Sequence, residues 1–354
     1  MTRLRDYGFN PGLLQPGSLN KISDVEGVLV GHLTRIEGEN IRTGVTVIDP
    51  GTPDLFHRKL PAAIAVGNGY GKLAGITQVR ELGTLETPIA LTNTLSVGPV
   101  LQGVVELSLK ITPKMVRGTT VNGVVGETND GIVNDAYSFV IKPSDVAAAY
   151  DRRTSDFALG SVGGGTGTKA FSWKGGIGSA SRVFTVDGTT YTLGALLQTN
   201  FGGSLTIMGV PIGQLLGEHD FPFIQSPQND GSCMMILATD APLSSRQLER
   251  IGRRAMLGLG RTGSVLGHGS GDYAIVFSTN RAGVEGSGEM GACLPDVELT
   301  PFFLAAIEVV EESVYDSMFT AESISGRDGN RLEQIPKDRV VELLRARGLA
   351  PDSR

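Results

Sequence analysis

The chain has 354 residues, enough for one large domain or two, and its 40% hydrophobic and 19% charged content is that of an ordinary globular protein with a sizeable core. A net charge of −6 leaves no electrostatic footprint for nucleic acid or an anionic membrane. Two cysteines, Cys233 and Cys293, are too few for a disulfide framework or a zinc ribbon and read as small buried thiols in a reducing compartment.

Met1 to Pro16 carries charges without an apolar run, so it does not read as a secretory signal, and no uninterrupted apolar span approaches membrane length. The cytoplasm is the expected compartment. The 49 glycines follow no collagen-like period and point to tight turns and close backbone approaches. Val25–Gly31 and Thr43–Pro50 read as strands of an early sheet. Ala62–Ala74 reads as a strand entering a glycine-rich turn and then a helix. Gly69, Gly71 and Ala74 fit a relaxed dinucleotide fingerprint, but no strand ending in an acidic residue follows at the right spacing, and the Gly71-Lys72 pair lacks the earlier glycine of a phosphate loop. A tight turn packing strand against helix is the plainer reading.

Thr87–Asn93 has strand character, and Val97–Lys110 has helical apolar spacing with Pro99 near its start. Val124–Asp135 runs from an apolar pair into polar side chains, the kind of strand end on which catalytic loops sit. Glycine is dense from Ser161 to Arg182. Such loops can hold an oxyanion with backbone amides, but hairpins lining a cleft are the expectation here. Tyr191–Asn200 reads as a strand delivering Gln198 and Asn200 to its end on one face, and Leu205–Ile212 as another short strand. Gly213–Asp230, with Pro222 and Pro227, reads as a linker.

A polar turn, Gln228-Asn-Asp-Gly-Ser232, then feeds an apolar strand, Cys233–Thr239, and organises the functional reading. Gly231 cannot shield its carbonyl and can adopt angles closed to other residues. Ser232 carries a hydroxyl next to that carbonyl. Attack followed by hydrolysis of the ester would cut the chain and leave Ser232 as a new N-terminus, whose amine, with a typical pKa of about 7.7–8.0, could take the proton of its own hydroxyl. Taken alone, Asp-Gly before an apolar run is simply a turn.

Farther on, Ser244 with Gln247 forms a capping-box start to a helix carrying Leu248, Ile251, Ala255 and Leu259. Gly267–Ser278 is another polar turn feeding a strand, with Ser270 and Asp272 on one face. A second helix begins at Thr300-Pro301, with Phe303, Ile307, Val310, Val314 and Met318 toward the core and Glu308, Glu311 and Glu312 read as solvated surface. Lys337–Gly348 reads as a short amphipathic helix. Strands followed by long helices, in two sets, suggest a layered α/β or α+β arrangement. The four histidines, His32, His57, His219 and His268, lack metal-ligand spacing; a conventional Ser-His-Asp site using His268 beside Ser270 is an open alternative, but His268, flanked by glycines, reads first as a turn cap.

Together, Asn20–Val28, Arg42–Thr46, Gly67–Gly75, Thr92–Ser96, Gly126–Gly131, Gly163–Thr168, Gln198–Gly202, Asp230–Ser232, Ala238–Leu243 and Gly269–Asp272 resemble the L-aminopeptidase D-amidase/D-esterase family, which includes the β-peptidyl aminopeptidases. The resemblance covers nearly the whole chain. It implies a single catalytic domain, an αββα sandwich similar to the ornithine acetyltransferase fold, made as a precursor and cut between Gly231 and Ser232 into an α chain of residues 1–231 and a β chain of residues 232–354. It further implies Ser232 as nucleophile, Asn200 in the oxyanion hole, Ser270 beside the nucleophile and its amine, Asp272 orienting them, and Glu127 binding the substrate's ammonium. Small peptides or amino-acid amides and esters would be the substrates, no metal or organic cofactor is implied, and αβ units would assemble as homo-oligomers. The family's tyrosine in or near the Glu127–Asp135 loop is replaced here by Asn129 and Ile132, with Tyr137 nearby and read as a strand residue. Two other readings stand beside this one: an acyl transferase using the same cut, and an uncut dinucleotide-binding or small-molecule-binding protein built on Gly67–Gly75.

Overall fold

The computed structural model describes residues 2–112, 118–218, 231–284 and 292–349. Its organising strand is β12 (Ser232–Thr239), in which every residue is buried. Cys233, Met235 and Leu237 enter one apolar core while Met234, Ile236 and Ala238 enter another. A strand apolar on both faces must be covered on both, and β12 lies inside a six-stranded sheet in the order β10 (Ile177–Val186), β11 (Thr189–Asn200), β12, β13 (Gly271–Ser278), β3 (Leu60–Gly69) and β5 (Thr84–Leu85). β11 pairs with β12 antiparallel, placing Asn200 opposite Ser232, and β13 pairs parallel, placing Gly271 opposite Ser232. The parallel pair needs a crossover. Helix α5 (Ser245–Arg261) supplies it, opened by the Ser244–Gln247 capping box.

A second sheet takes the order β1 (Leu29–Glu37), β2 (Ile41–Asp49), β6 (Ile89–Asn93), β7 (Val124–Thr128) and β4 (Leu73–Ala74). Three apolar clusters separate four layers. One lies between the six-stranded sheet and α5 with α6 (Thr300–Phe319), one between the two sheets, and one between the second sheet and α2 (Val97–Ile111) with α3 (Ser144–Asp151). The chain is therefore an αββα sandwich, as expected. Short helices α1 (Ile76–Leu82), α4 (Ile212–Leu216) and α7 (Lys337–Ala346) and the hairpin of β8 (Lys169–Ala170) with β9 (Trp173–Lys174) complete the parts used below.

Several local expectations are corrected. The first strand starts at Leu29, because Val25–Val28 closes a turn, with the Val28 amide donating to Val25 O at 3.1 Å and Gly27 at φ 86°. Leu205–Ile212 is not a strand: Met208 and Gly209 take positive φ angles of 49° and 82°, and the chain reverses there with only an isolated Ile207–Val210 bridge. Gly163–Gly165 is a 3-10 turn and not a hairpin. It is wedged so tightly that a Cβ on Gly164 would stand 2.1 Å from Gln198 Oε1, and the hairpin follows it at Lys169–Lys174. Of the expected linker, Gly213 to Leu216 belongs to α4, and residues 219–230 lie outside the described residues. Cys233 is buried as expected, whereas Cys293 is only partly so.

The largest correction concerns α6. Glu308, Glu311 and Glu312 are buried, at 1%, 8% and 0% exposure. The helix packs against β10, β11, α5 and the N-terminal segment, and from Glu308 to Phe319 every residue is buried, so no face there is left for water. The fully buried Arg182 of β10 reaches Glu308 at 2.8 Å and Glu312 at 2.7 Å, while Arg5 also pairs with Glu312 and Arg3 with Asp316. Phe303 and Ile307, expected in the core, are only half-buried, and the guanidinium of Arg254 lies over the Phe303 ring at 4.0 Å.

Candidate active site

The expected site residues meet at one end of the two sheets. Ser232 is the first residue of β12, and its neighbours across the strands, Asn200 and Gly271, are fixed by register. Ser232 Oγ donates to the Gly231 carbonyl at 2.5 Å. The same carbonyl accepts the Gly271 amide at 3.0 Å. Ser270 stands alongside, since a Cβ on Gly231 would lie 3.1 Å from Ser270 Oγ. The Gly231–Ser232 bond is thus held between a hydroxyl and a backbone N–H, both aimed at one carbonyl oxygen.

Asn200 ends β11, and its Oδ1 accepts the backbone amide of Lys169 at 3.0 Å. That bond fixes the amide plane and leaves the NH2 group to donate elsewhere. The β8–β9 hairpin therefore sets the orientation of Asn200, a part that the glycine-dense run ending at Lys169 only hinted at. Gln198, two residues earlier, turns to the second sheet and donates to Thr92 O at 2.9 Å and Thr128 Oγ1 at 2.7 Å.

Asp272 is fully buried in β13. Burial pushes its carboxyl up to about 6, against the opposing pull of the Ser270 hydroxyl and the Cys233 amide. Both neighbours are close, yet neither oxygen of Asp272 nor the Ser270 hydroxyl completes a well-aligned hydrogen bond among the described residues. Buried polar groups are normally satisfied, so this pair next to Ser232 is poised for a partner. A β-bulge falls here too, between Asp272 and Tyr273 against β3, and bulges re-aim side chains beside sites.

Glu127 is buried in β7 and reaches the others through the loop between β3 and β4. Its Oε1 accepts the Lys72 amide at 2.9 Å, and Lys72 Nζ lies 3.7 Å from it. Gly71 separates Glu127 from Gly271: a Cβ on Gly71 would lie 3.1 Å from both Glu127 Oε1 and Gly271 Cα. Tyr273 donates its hydroxyl to Gly71 O at 2.7 Å, and Asn68 Nδ2 donates to the carbonyls of Gly267, His268 and Ser270 at 3.0, 2.9 and 2.5 Å. The Gly67–Gly75 stretch is therefore part of this site's wall. It leads into only a seven-residue helix, α1, through Gly75 at φ 84°. Asn68, Gly71, Lys72 and Tyr273 were missed as site residues, because a glycine loop read in isolation does not say what it touches.

Tyr137 lies in a 3-10 turn, Ala136–Ser138, and not in a strand. It is 76% exposed and lines a cavity together with Asn200.

Comparison with known proteins shows the family. Peptidase family S58 matches residues 20–332. The β-peptidyl aminopeptidase BapA of Sphingosinicella xenopeptidilytica is 37% identical over 98% of this chain and 91% of its own. Among solved structures, the PH0078 protein from Pyrococcus horikoshii OT3 is 41% identical with a TM-score of 0.91, covering 99% of this chain and 100% of that one. The L-aminopeptidase D-Ala-esterase/amidase from Ochrobactrum anthropi is 34% identical with a TM-score of 0.87 and the same coverage. That last protein is described as a prototype for the serine aminopeptidases and as a new variant among the Ntn hydrolase fold.

Proposed function

Because the chain belongs to peptidase family S58, we propose that it is a serine aminopeptidase that makes its own nucleophile by cutting the bond between Gly231 and Ser232. The hydrolase class comes with the family and with the aminopeptidase relatives. The cut, the residue roles and the substrates are our reading. The observation that carries it is the Gly231 carbonyl, which receives both Ser232 Oγ and the Gly271 amide.

In the first reaction Ser232 Oγ adds to the Gly231 carbonyl carbon, and the Gly271 N–H supports the oxyanion. The C–N bond then breaks, the nitrogen takes up the proton that left the hydroxyl, and an ester links the two pieces. Water hydrolyses the ester, giving a Gly231 carboxylate and a Ser232 with free amine and free hydroxyl. In each later turnover the amine accepts the hydroxyl proton as Oγ attacks the substrate carbonyl. Asn200 Nδ2 donates to the new oxyanion, and the amine returns its proton to the leaving nitrogen. Water then releases the acyl group. Ser270 and Asp272 orient the nucleophile and its amine, and Glu127 holds the substrate's ammonium, confining cleavage to N-terminal residues.

Homo-oligomeric assembly of the cut units and a cytoplasmic home belong to the same proposal. The unpaired cysteines support a reducing compartment. Among the described residues no helix is long and apolar enough to cross a membrane. The test is intact mass and denaturing electrophoresis of wild type beside Ser232→Ala, with hydrolysis assayed on amides and short peptides starting with α- or β-amino acids. The expected result is two chains, 1–231 and 232–354, and activity for wild type, against one inactive chain for the variant. A wild type that remains whole after prolonged incubation would sink the self-processing mechanism.

A further inference from the structure

Beside Asn200 the described residues line a cavity of about 640 Å³, within the range of small-molecule sites. Its wall includes Asn200, Phe201, Tyr137, Lys169, Arg327 and Asn330. Among the described residues lining it there are two cations and no carboxylate, although the chain as a whole is acidic.

Arg327 is presented by a built turn. It opens a 3-10 turn, Arg327–Gly329, in which Asp328 takes a positive φ of 57°. The turn is stitched to the loop that follows Glu127: the Arg327 amide donates to Val133 O at 2.8 Å, and Asn330 Nδ2 donates to Ile132 O at 2.9 Å. A Cβ on Gly326 would stand 2.0 Å from Val133 O, so the backbones are in contact. Asp328 Oδ2 lies 3.2 Å from Arg327 Nε, but Asp328 is 76% exposed and the pair is screened by water. It is also not aligned to accept, for Nε remains a buried donor without a hydrogen-bond partner. A guanidinium so held is suited to planar carboxylate recognition.

We propose that this cavity is a carboxylate subsite, in which Arg327 receives a carboxylate carried by the substrate close to the scissile bond. The inference rests on the aminopeptidase reading and narrows it: preferred substrates carry charge at both ends, an ammonium at Glu127 and a carboxylate at Arg327. The carboxylate has two sources, the free C-terminus of a dipeptide or an acidic N-terminal side chain.

The test uses the full processed enzyme and three probes: alanyl-leucine, alanyl-leucine amide and aspartyl-leucine amide, each repeated with a β-amino acid in first place. Wild type is expected to favour a carboxylate-bearing probe over alanyl-leucine amide by roughly 10- to 100-fold in kcat/KM, the range set by one hydrogen-bonded charge. Arg327→Gln should bring that ratio close to one, chiefly through KM, and Arg327→Lys should recover part of it. Preference for alanyl-leucine assigns the subsite to the C-terminal carboxylate, and preference for aspartyl-leucine amide assigns it to the side chain. A wild type that cuts the neutral amide as well as both charged probes, or a ratio untouched by Arg327→Gln, overturns the subsite and leaves the aminopeptidase standing. No cleavage of any probe overturns both.

Discussion

Asp272 shows how one side chain couples chemistry to stability. Its carboxyl ionises at about 6 in the folded chain against an ordinary 3.8, so folding holds its proton more tightly than the unfolded chain does. The associated stability is fully present below pH 4 and is lost as pH rises through about 6, at a cost of about 3 kcal/mol. In the uncut Ser232→Ala background, adding Asp272→Asn is therefore expected to raise stability in urea at pH 8 by up to about 3 kcal/mol and to leave it unchanged at pH 3.5. With Ser232 intact, Asp272→Asn should slow chain cutting and turnover by roughly 10²-fold or more, and the wild-type rate should fall as pH drops below about 6. Equal stability differences at the two pH values would refute this account. At this scale the sequence was legible where a polar turn enters an apolar strand, which singled out Ser232 and Asp272. Lys72 and Lys169 hold Glu127 and Asn200 through their backbone amides, a contact any side chain allows, so the sequence carried no signal of it.

Among the elements, the clearest contrast is between two helices. For α5 the apolar stripe and capping box declared both its start and its buried face, because one side meets solvent and periodicity records the difference. From Glu308 on, α6 is covered all round, so its glutamates are core residues with arginine partners far away in sequence: Arg5 and Arg182 lie outside any window a helix pattern can see. Removing one partner strands a buried charge. Arg182→Met is expected to cost roughly 3–5 kcal/mol in urea unfolding, whereas Arg339→Met, which breaks an exposed 2.9 Å pair with Glu342, should cost less than about 1 kcal/mol. A loss of similar size at both positions would mean that the buried network contributes no more than a surface pair. The Leu205–Ile212 misreading has a related cause. Its apolar residues pack in the core, but two consecutive left-handed residues break the alternation that strand patterning assumes.

For the whole molecule, the four layers were legible from the order of strands and helices together with family resemblance, while strand order within the sheets was not, since it depends on long-range pairing. That order has a consequence for the proposed cut. In the six-stranded sheet, β10, β11, β3 and β5 come from before residue 232, and β12 and β13 come from after it. The later pair sits between β11 and β3, hydrogen-bonded on both sides. The two pieces should therefore travel as one species in size-exclusion chromatography at neutral pH and separate only in denaturant. Recovery of a free 1–231 piece under native conditions would contradict this.

The same interleaving bears on how the protein is born. Synthesis through residue 231 completes every strand of the five-stranded sheet but leaves the other one with a gap two strands wide, flanked by the raw edges of β11 and β3. Unpaired edges recruit whatever strand is near. A transcript truncated before β12 would release a polypeptide whose open gap invites its own copies, so such nonsense alleles should form inclusion bodies and not a dilute, harmless remnant.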